Sequence, residues 1–278
     1  MTIRRNQKKE IYDSAKRGHP ALEEIKVLLK YRDLIRQLIQ RDIITRYKRS
    51  VLGVAWTMLN PLGTMIILTV VFSRVFSQTA GYPIFILSGL IAWNFFSQAT
   101  TASMSGMLWG SSLYTRIFLP RTSFVIAAIG TGVVNLLLSL VPLFIIMLFI
   151  RVTIYNTIIL LPLAILMMAI FSLGVGLLLS AYVLFFPDIG EMYPIVLTAW
   201  MYLTPIIIPE EILAKIGNGL LLKLNPLYYL IKLFRICVYY GEWPNFMDVI
   251  VPVLISLVIL ALGWLVFTKN ADRFAYFI

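Results

Sequence analysis

Six stretches of this chain contain no charged side chain: 50–73, 75–115, 122–150, 152–187, 192–209 and 249–268. A helix needs about 20 apolar residues to cross a hydrocarbon core roughly 30 Å thick. Five stretches meet that length, and 192–209 sits at its lower edge. The expected fold is an all-α integral membrane protein with six transmembrane helices, in a single domain over 1–278. Charged residues make up 13% of the chain, against roughly 25% in soluble domains, so the deficit agrees with the pattern.

Nothing in the first 50 residues resembles a signal peptide, because Arg4, Arg5, Lys8 and Lys9 are followed by acids and no apolar core. No cleavage is expected, and 1–21 reads as a polar tail. The single cysteine, Cys237, excludes an internal disulfide. The single histidine, His19, beside Pro20, reads as a solvated loop residue, and no metal site is expected. Orientation follows from lysine and arginine in the loops. With the N-terminus inside, the segments 1–50, 106–121, 186–192 and 269–278 hold 18 of the 24 basic residues. Both termini are therefore expected in the cytoplasm. The net charge of +11 is a topology signal and not a mark of nucleic-acid binding.

From Ala21 to about Arg49 the pattern is helical, with Leu28, Tyr31, Ile35, Leu38, Ile39 and Ile43 at three- and four-residue spacing. The basic residues of that helix (taken as 22–49) suit anionic headgroups at the membrane interface, although a helix packed on another protein surface has the same pattern. Asn60-Pro61 resembles a helix start, so the first crossing is expected near Pro61. The later spans are expected near Ile84–Gly106, Ser123–Ile150, Thr157–Phe185, Tyr193–Ile208 and 249–268. The segment 106–121 starts uncharged and ends in Leu119-Pro120-Arg121, which fits a short cytoplasmic surface helix exposing aromatic residues beside charge. In 209–248, Pro209-Glu210-Glu211 and Asn225-Pro226 look like two helix starts. Neither helix is long enough to span, and together (209–247) they suit an extracellular re-entrant pair before the last span. Tyr228, Tyr229, Tyr239, Tyr240 and Trp243 suit an interfacial aromatic belt.

Missing chemistry narrows the function. The six stretches lack the ionisable groups that proton-coupled carriers use within the membrane, which leaves a sodium site of hydroxyls and carbonyls open. No G-x-x-x-x-G-K-[ST], H-E-x-x-H or G-x-S-x-G sequence occurs. Asp188 and Glu191, expected inside, form no pair that demands catalysis. A transport chain with neither an ATPase nor an ion relay needs a partner for energy. The surfaces available to that partner are the N-terminal helix and 106–121.

Arg46-Tyr-Lys-Arg-Ser-Val-Leu-Gly-Val-Ala-Trp-Thr-Met-Leu-Asn-Pro61 resembles the signature that opens the membrane subunit of type-2 ABC exporters for bacterial surface polymers. The similarity continues in Leu119-Pro120-Arg121, in Tyr202-Leu-Thr-Pro-Ile-Ile-Ile-Pro209, and in Leu224-Asn225-Pro226 with Arg235 afterwards, covering about 25–270. The resemblance implies a homodimer bound to two ATPase subunits, with no cofactor in this chain and ATP and magnesium on the partner. It implies a multi-pass protein of the bacterial inner membrane, exporting polyprenyl-diphosphate-linked O-antigen, capsular polysaccharide or teichoic acid. It also implies an ATPase-coupling helix within 107–121, with Leu108, Tyr114, Arg116, Phe118, Pro120 and Arg121 as its contacts. One departure is Pro187-Asp188, where related proteins often carry Arg-Asp.

A sugar polymer asks for aromatic rings and hydroxyls along its path, since flat faces allow sliding. The aromatic candidates are Trp93, Phe95, Phe96, Tyr182, Phe185, Phe186, Tyr193, Trp200 and Tyr202, drawn from 37 aromatic residues that mostly serve packing or lipid contact. For a diphosphate head at the inner leaflet, Arg46, Lys48 and Arg49 are the available cations. Two other readings stand: a type-2 permease for a drug or a lipid, and a membrane enzyme of the envelope.

Overall fold

A computed structural model describes residues 20–48, 50–76, 81–109, 120–150, 156–215 and 219–271. In order the α-helices are α1 (Pro20–Lys30), α2 (Arg32–Tyr47), α3 (Ala55–Phe72), α4 (Tyr82–Trp109), α5 (Thr122–Phe149), α6 (Leu161–Val183) and α7 (Ile189–Tyr202). They continue as α8 (Glu210–Leu213), α9 (Leu220–Leu224), α10 (Pro226–Arg235) and α11 (Phe246–Asn270). No strand occurs among the described residues. Five segments are long and apolar enough to cross a membrane: Ala55–Phe72, Tyr82–Leu108, Thr122–Phe149, Asn156–Val183 and Phe246–Asn270.

The sixth expected crossing, Tyr193–Ile208, is helical only as far as Tyr202. The 14 residues of α7 reach about 21 Å, short of a bilayer core. Pro205 accounts for the stop, because a proline removes an N–H and disfavours helical backbone in the residue before it. Thr204, Pro205, Ile206 and Ile207 continue as buried, non-helical chain.

Two other expectations change. The N-terminal helix is bent, not single: Tyr31 departs to φ −99°, ψ 20°, although its N–H still reaches Val27 O and Leu28 O. The first span starts at Ala55 and carries Asn60-Pro61 inside it. Pro61 cannot bond the carbonyl four residues back, and Ser139 Oγ on α5 bonds that Thr57 oxygen instead, at 3.1 Å. A side chain from a neighbouring helix thus fills the place of the missing N–H.

The second span is the centre of the molecule: 78% of its apolar window is buried, against 11% for the first. α5, α6 and α3 flank α4. α11 packs along α6, where Gly174 and Gly263 bring two backbones together and Ser256 Oγ donates to Met167 O at 3.1 Å. A Cβ on Gly174 would stand 2.6 Å from backbone atoms of Ile259 and Leu260. α2 lies on α5 through Leu34, Ile35, Leu38 and Ile39 against Phe124 and Ala127. Thr122 Oγ1 donates to Glu24 Oε1 at 2.6 Å, which fixes α1 at the start of α5.

The segment after α7 contains three short helices among the described residues, one more than its two proline signals suggest. Asn225 caps α10 and makes four bonds. Its Oδ1 accepts from Leu227 N (3.1 Å) and Trp200 Nε1 (2.8 Å), and its Nδ2 donates to Thr204 Oγ1 (2.8 Å) and Leu203 O (3.2 Å). Those four use the full capacity of a carboxamide. Arg235, at the other end of α10, is buried and donates to Pro205 O, Phe85 O (3.0 Å) and Ile206 O (3.2 Å). Its guanidinium also lies 3.7 Å over the Phe85 ring. Gly89 makes room, since a Cβ there would collide with Nη2 of Arg235. An ion pair between Lys232 and Asp248, at 2.8 Å, ties α10 to the start of α11.

Candidate functional site

Along α4, Asn94, Ser97, Gln98, Thr101 and Ser105 recur at three- and four-residue intervals and therefore share one face. Every one of them lines a cavity. The first cavity, about 310 Å³, lies between α3, α4 and α5. Asn60 and Trp56 line it from α3, Asn94, Phe95 and Gln98 from α4, and Asn135 and Ser139 from α5. The second, about 360 Å³, follows the lower part of the same face from Ser97 to Ser105 and meets Leu197 of α7. Arg46 and Gln98 border both, and Arg46 Nη1 lies 3.5 Å from Gln98 Oε1. The row is thus a polar strip with a single guanidinium beside it.

Its depth follows from helix geometry. The 28 residues of α4 extend about 42 Å, and Asn94 and Gln98 stand near its midpoint. Four carboxamides (Asn60, Asn94, Gln98, Asn135) border the first cavity. Asn135 Oδ1 is buried without a hydrogen-bond partner. Lined by four carboxamides at membrane depth, the cavity suits a polar occupant. Among the described residues Arg46 is the one charged residue on either lining, and no carboxylate joins it.

The sequence points to aromatic rings for this role, and the structure distributes them differently. Phe95 borders the first cavity. Trp93, Phe96 and Tyr193 are core residues, with Phe96 packed on Phe171 and Trp200 at ring distances of 5.7 and 5.3 Å. Tyr193 shares a 2.7 Å hydrogen bond with Thr100. Trp200 is bound to Asn225, and Phe185 is half-buried. Tyr182, Phe186 and Tyr202 are exposed on the single chain. The polar strip was legible as spaced Asn, Ser, Gln and Thr in an otherwise apolar span. A search for charges and rings passes over it.

Of the cations expected at the inner leaflet, Arg46 stands at the cavities, Lys48 is exposed, and Arg49 lies outside the described residues. In the expected coupling segment, Leu108 is in the last turn of α4, Pro120 is buried, and Arg121 precedes α5. Arg121 Nη1 donates to Ala271 O at 2.6 Å, just past the end of α11. Tyr114, Arg116 and Phe118 lie outside the described residues, as do residues 1–19 of the tail expected over 1–21, whose last two residues, Pro20 and Ala21, open α1 instead. Asp188 and Glu191 are exposed at the start of α7, where their charge complements the helix dipole. In the expected aromatic belt, Tyr228 is turned inward and donates to Glu210 Oε1, while Trp243 is exposed.

The family described as ABC-2 type transporter matches residues 33–239. The O-antigen export system permease protein RfbA of Myxococcus xanthus is 28% identical over 255 residues, covering 90% of this chain and 97% of that protein. A protein of the same description from Klebsiella pneumoniae is 24% identical over 246 residues, covering 87% and 94%. The polysialic acid transport protein KpsM of Escherichia coli is 24% identical over 205 residues, covering 72% and 79%.

Proposed function

Because this chain belongs to the ABC-2 type transporter family, we propose that it is the permease subunit of an ATP-driven exporter of a lipid-linked surface polysaccharide. Its similarity to O-antigen and polysialic acid export proteins supports that cargo class. The observation that carries the reading is the amide and hydroxyl strip of α4, open to cavities at membrane depth. The hydrocarbon of a lipid or an apolar drug gains nothing from such a strip. A sugar chain can exchange hydrogen bonds along it in shallow steps, which is the condition for movement.

On this reading the chain works as a homodimer in the bacterial inner membrane, with both termini in the cytoplasm. α7 with the buried chain to Ile208 forms the sixth crossing, and α8 to α10 form the outer re-entrant element. α1 and α2 lie at the inner interface. Two ATPase subunits, which hold ATP and magnesium, engage 107–121. The Arg121 bond to Ala271 carries their motion to α11 as well as to α4 and α5. Arg46 with Lys48 and Arg49 receives the diphosphate of a polyprenyl carrier, and the polymer is an O-antigen, a capsule or a teichoic acid. The aromatic residues named above flank the path where they face it.

The test is depletion of the chain in its source cell, together with affinity purification of the tagged protein. The expected result is loss of surface polymer, accumulation of lipid-linked glycan on the cytoplasmic side, and recovery of a stoichiometric ATPase subunit. Unchanged surface polymer with an ATPase subunit recovered would move the cargo to a drug or lipid. Recovery of the chain alone, inactive towards ATP, would remove the exporter.

A further inference from the structure

The first cavity has a composition that the export of a long chain does not explain. At about 310 Å³ it lies at the lower end of the range for small-molecule sites, roughly 300 to 1,000 Å³, so it holds one ring and not a polymer. Four carboxamides face it from three different helices. Carboxamides offer paired donors and acceptors, the pattern that vicinal hydroxyls of a sugar match. Trp56 and Phe95 add flat apolar faces of the kind that stack on a pyranose ring. Asn135 Oδ1, buried and unpaired, is an acceptor lacking a donor. Arg46 is the single charge on the lining among the described residues, and a guanidinium pairs with phosphate through two parallel hydrogen bonds.

From this set we infer that the cavity between α3, α4 and α5 is a recognition pocket for the first sugar of a glycosyl diphosphate. Its carboxamides read the ring hydroxyls, and Arg46 holds the adjoining phosphate. The inference rests on the proposed export of a lipid-linked glycan and adds a specificity that export alone does not require. The strip from Ser105 up to Ser97 leads from the cytoplasmic side to the pocket, which inspects the ring at the lipid end as it arrives. Ser139 belongs to the wall and not to the ligand set, because its hydroxyl is committed to carbonyls of α3 and α5.

The experiment uses the full complex with its ATPase subunit in nanodiscs. The probes are farnesyl diphosphate and farnesyl diphosphates bearing glucose, galactose or N-acetylglucosamine. At least one glycosylated probe is expected to bind about tenfold tighter than the bare diphosphate, the yield of one or two net hydrogen bonds. Asn135→Leu and Trp56→Ala are expected to abolish that preference and leave affinity for the bare diphosphate within about twofold. Trp56 is half exposed, so its removal opens no core void, and retained ATPase activity checks the fold of both variants. Arg46→Gln should weaken all four probes together. Equal binding of all probes by the unaltered complex, or a preference that survives both substitutions, overturns the pocket. A simple lipid-phosphate site gives the first of these results. Surface polymer is scored separately in cells: export without sugar preference removes the pocket and spares the exporter. Sugar preference without any loss of polymer on depletion removes the exporter.

Discussion

Between α6 and α11 two backbones touch, whereas α10, whose apolar residues join the common core, is tied to α4 and the chain after α7 by polar side chains. The first contact is made by subtraction: Gly174 and Gly263 remove two Cβ atoms, and the helices approach until Gly263 would collide with Gly174 O if it carried one. The second is made by addition: Arg235 and Asn225 donate to five acceptors on the structures they meet. In lipid no hydrophobic force draws helices together, so close packing and interhelical hydrogen bonds are the two means available. Packing suits long parallel spans. Hydrogen bonds suit a short segment whose turns would otherwise leave carbonyls unpaired at membrane depth.

If this division is right, the packed seam should respond to added volume and the polar one to lost donors. The largest effect is expected at Gly174→Val. Its Cβ must displace backbone and not a flexible side chain, so the cost is more than about 3 kcal/mol and the seam opens. The measurement is thermal unfolding in mild detergent, together with the yield of monodisperse protein. An unchanged midpoint would mean that α6 and α11 can part without loss, which breaks the comparison at its stronger side.

Arg235→Met comes next. Three carbonyls lose a charged donor, while burying the cation no longer has to be offset, so the net loss is about 2 kcal/mol. Loosening should be local, with faster proteolysis in 203–245 while α6 and α11 stay paired. Arg235→Lys should recover only part, because an ammonium on a flexible stem does not reproduce the planar fork that reaches Phe85, Pro205 and Ile206 together. Full recovery by lysine would make the site a point charge and not a geometric clamp.

The two regions also differ in how far they can be read from sequence. The five long spans were plain, because length and apolarity decide them and tertiary context changes little. Asn225-Pro226 was legible as a helix start, since a capping side chain and a fixed φ act locally. That Asn225 would also bind Trp200, and that Arg235 would be buried, depends on where Pro205 and Phe85 end up, about 20 to 150 residues away in the chain. The expected start at Pro61 failed for the same reason. Proline ends a helix when nothing replaces its N–H, and Ser139 replaces it from another helix. In the candidate site, Arg46 and Phe95 were chosen from sequence by charge and ring. The amides of α4 and α5 were not: spacing puts those of α4 on one face, but only the packing of α3 and α5 turns that face into the wall of a cavity.

The smallest effect tests that replacement directly, and it joins the two means of contact in one place. Ser139 has one hydroxyl proton facing two carbonyls, Thr57 O at 3.1 Å and its own helix's Asn135 O at 2.9 Å. Ser139→Ala therefore removes only a fraction of a full bond, about 0.5 kcal/mol. Pro61→Ala alone restores an N–H to α3 and relaxes the dependence of Thr57 O on α5. Were Ser139 merely packing, the two substitutions would add. If its hydroxyl stands in for the proline's missing N–H, Ser139→Ala should cost nothing once Pro61 is alanine, and a double-mutant cycle should return a coupling near the whole single-mutant loss. Additive stabilities within error would detach Ser139 from the first span. α3 would then meet α5 by packing, as α6 meets α11.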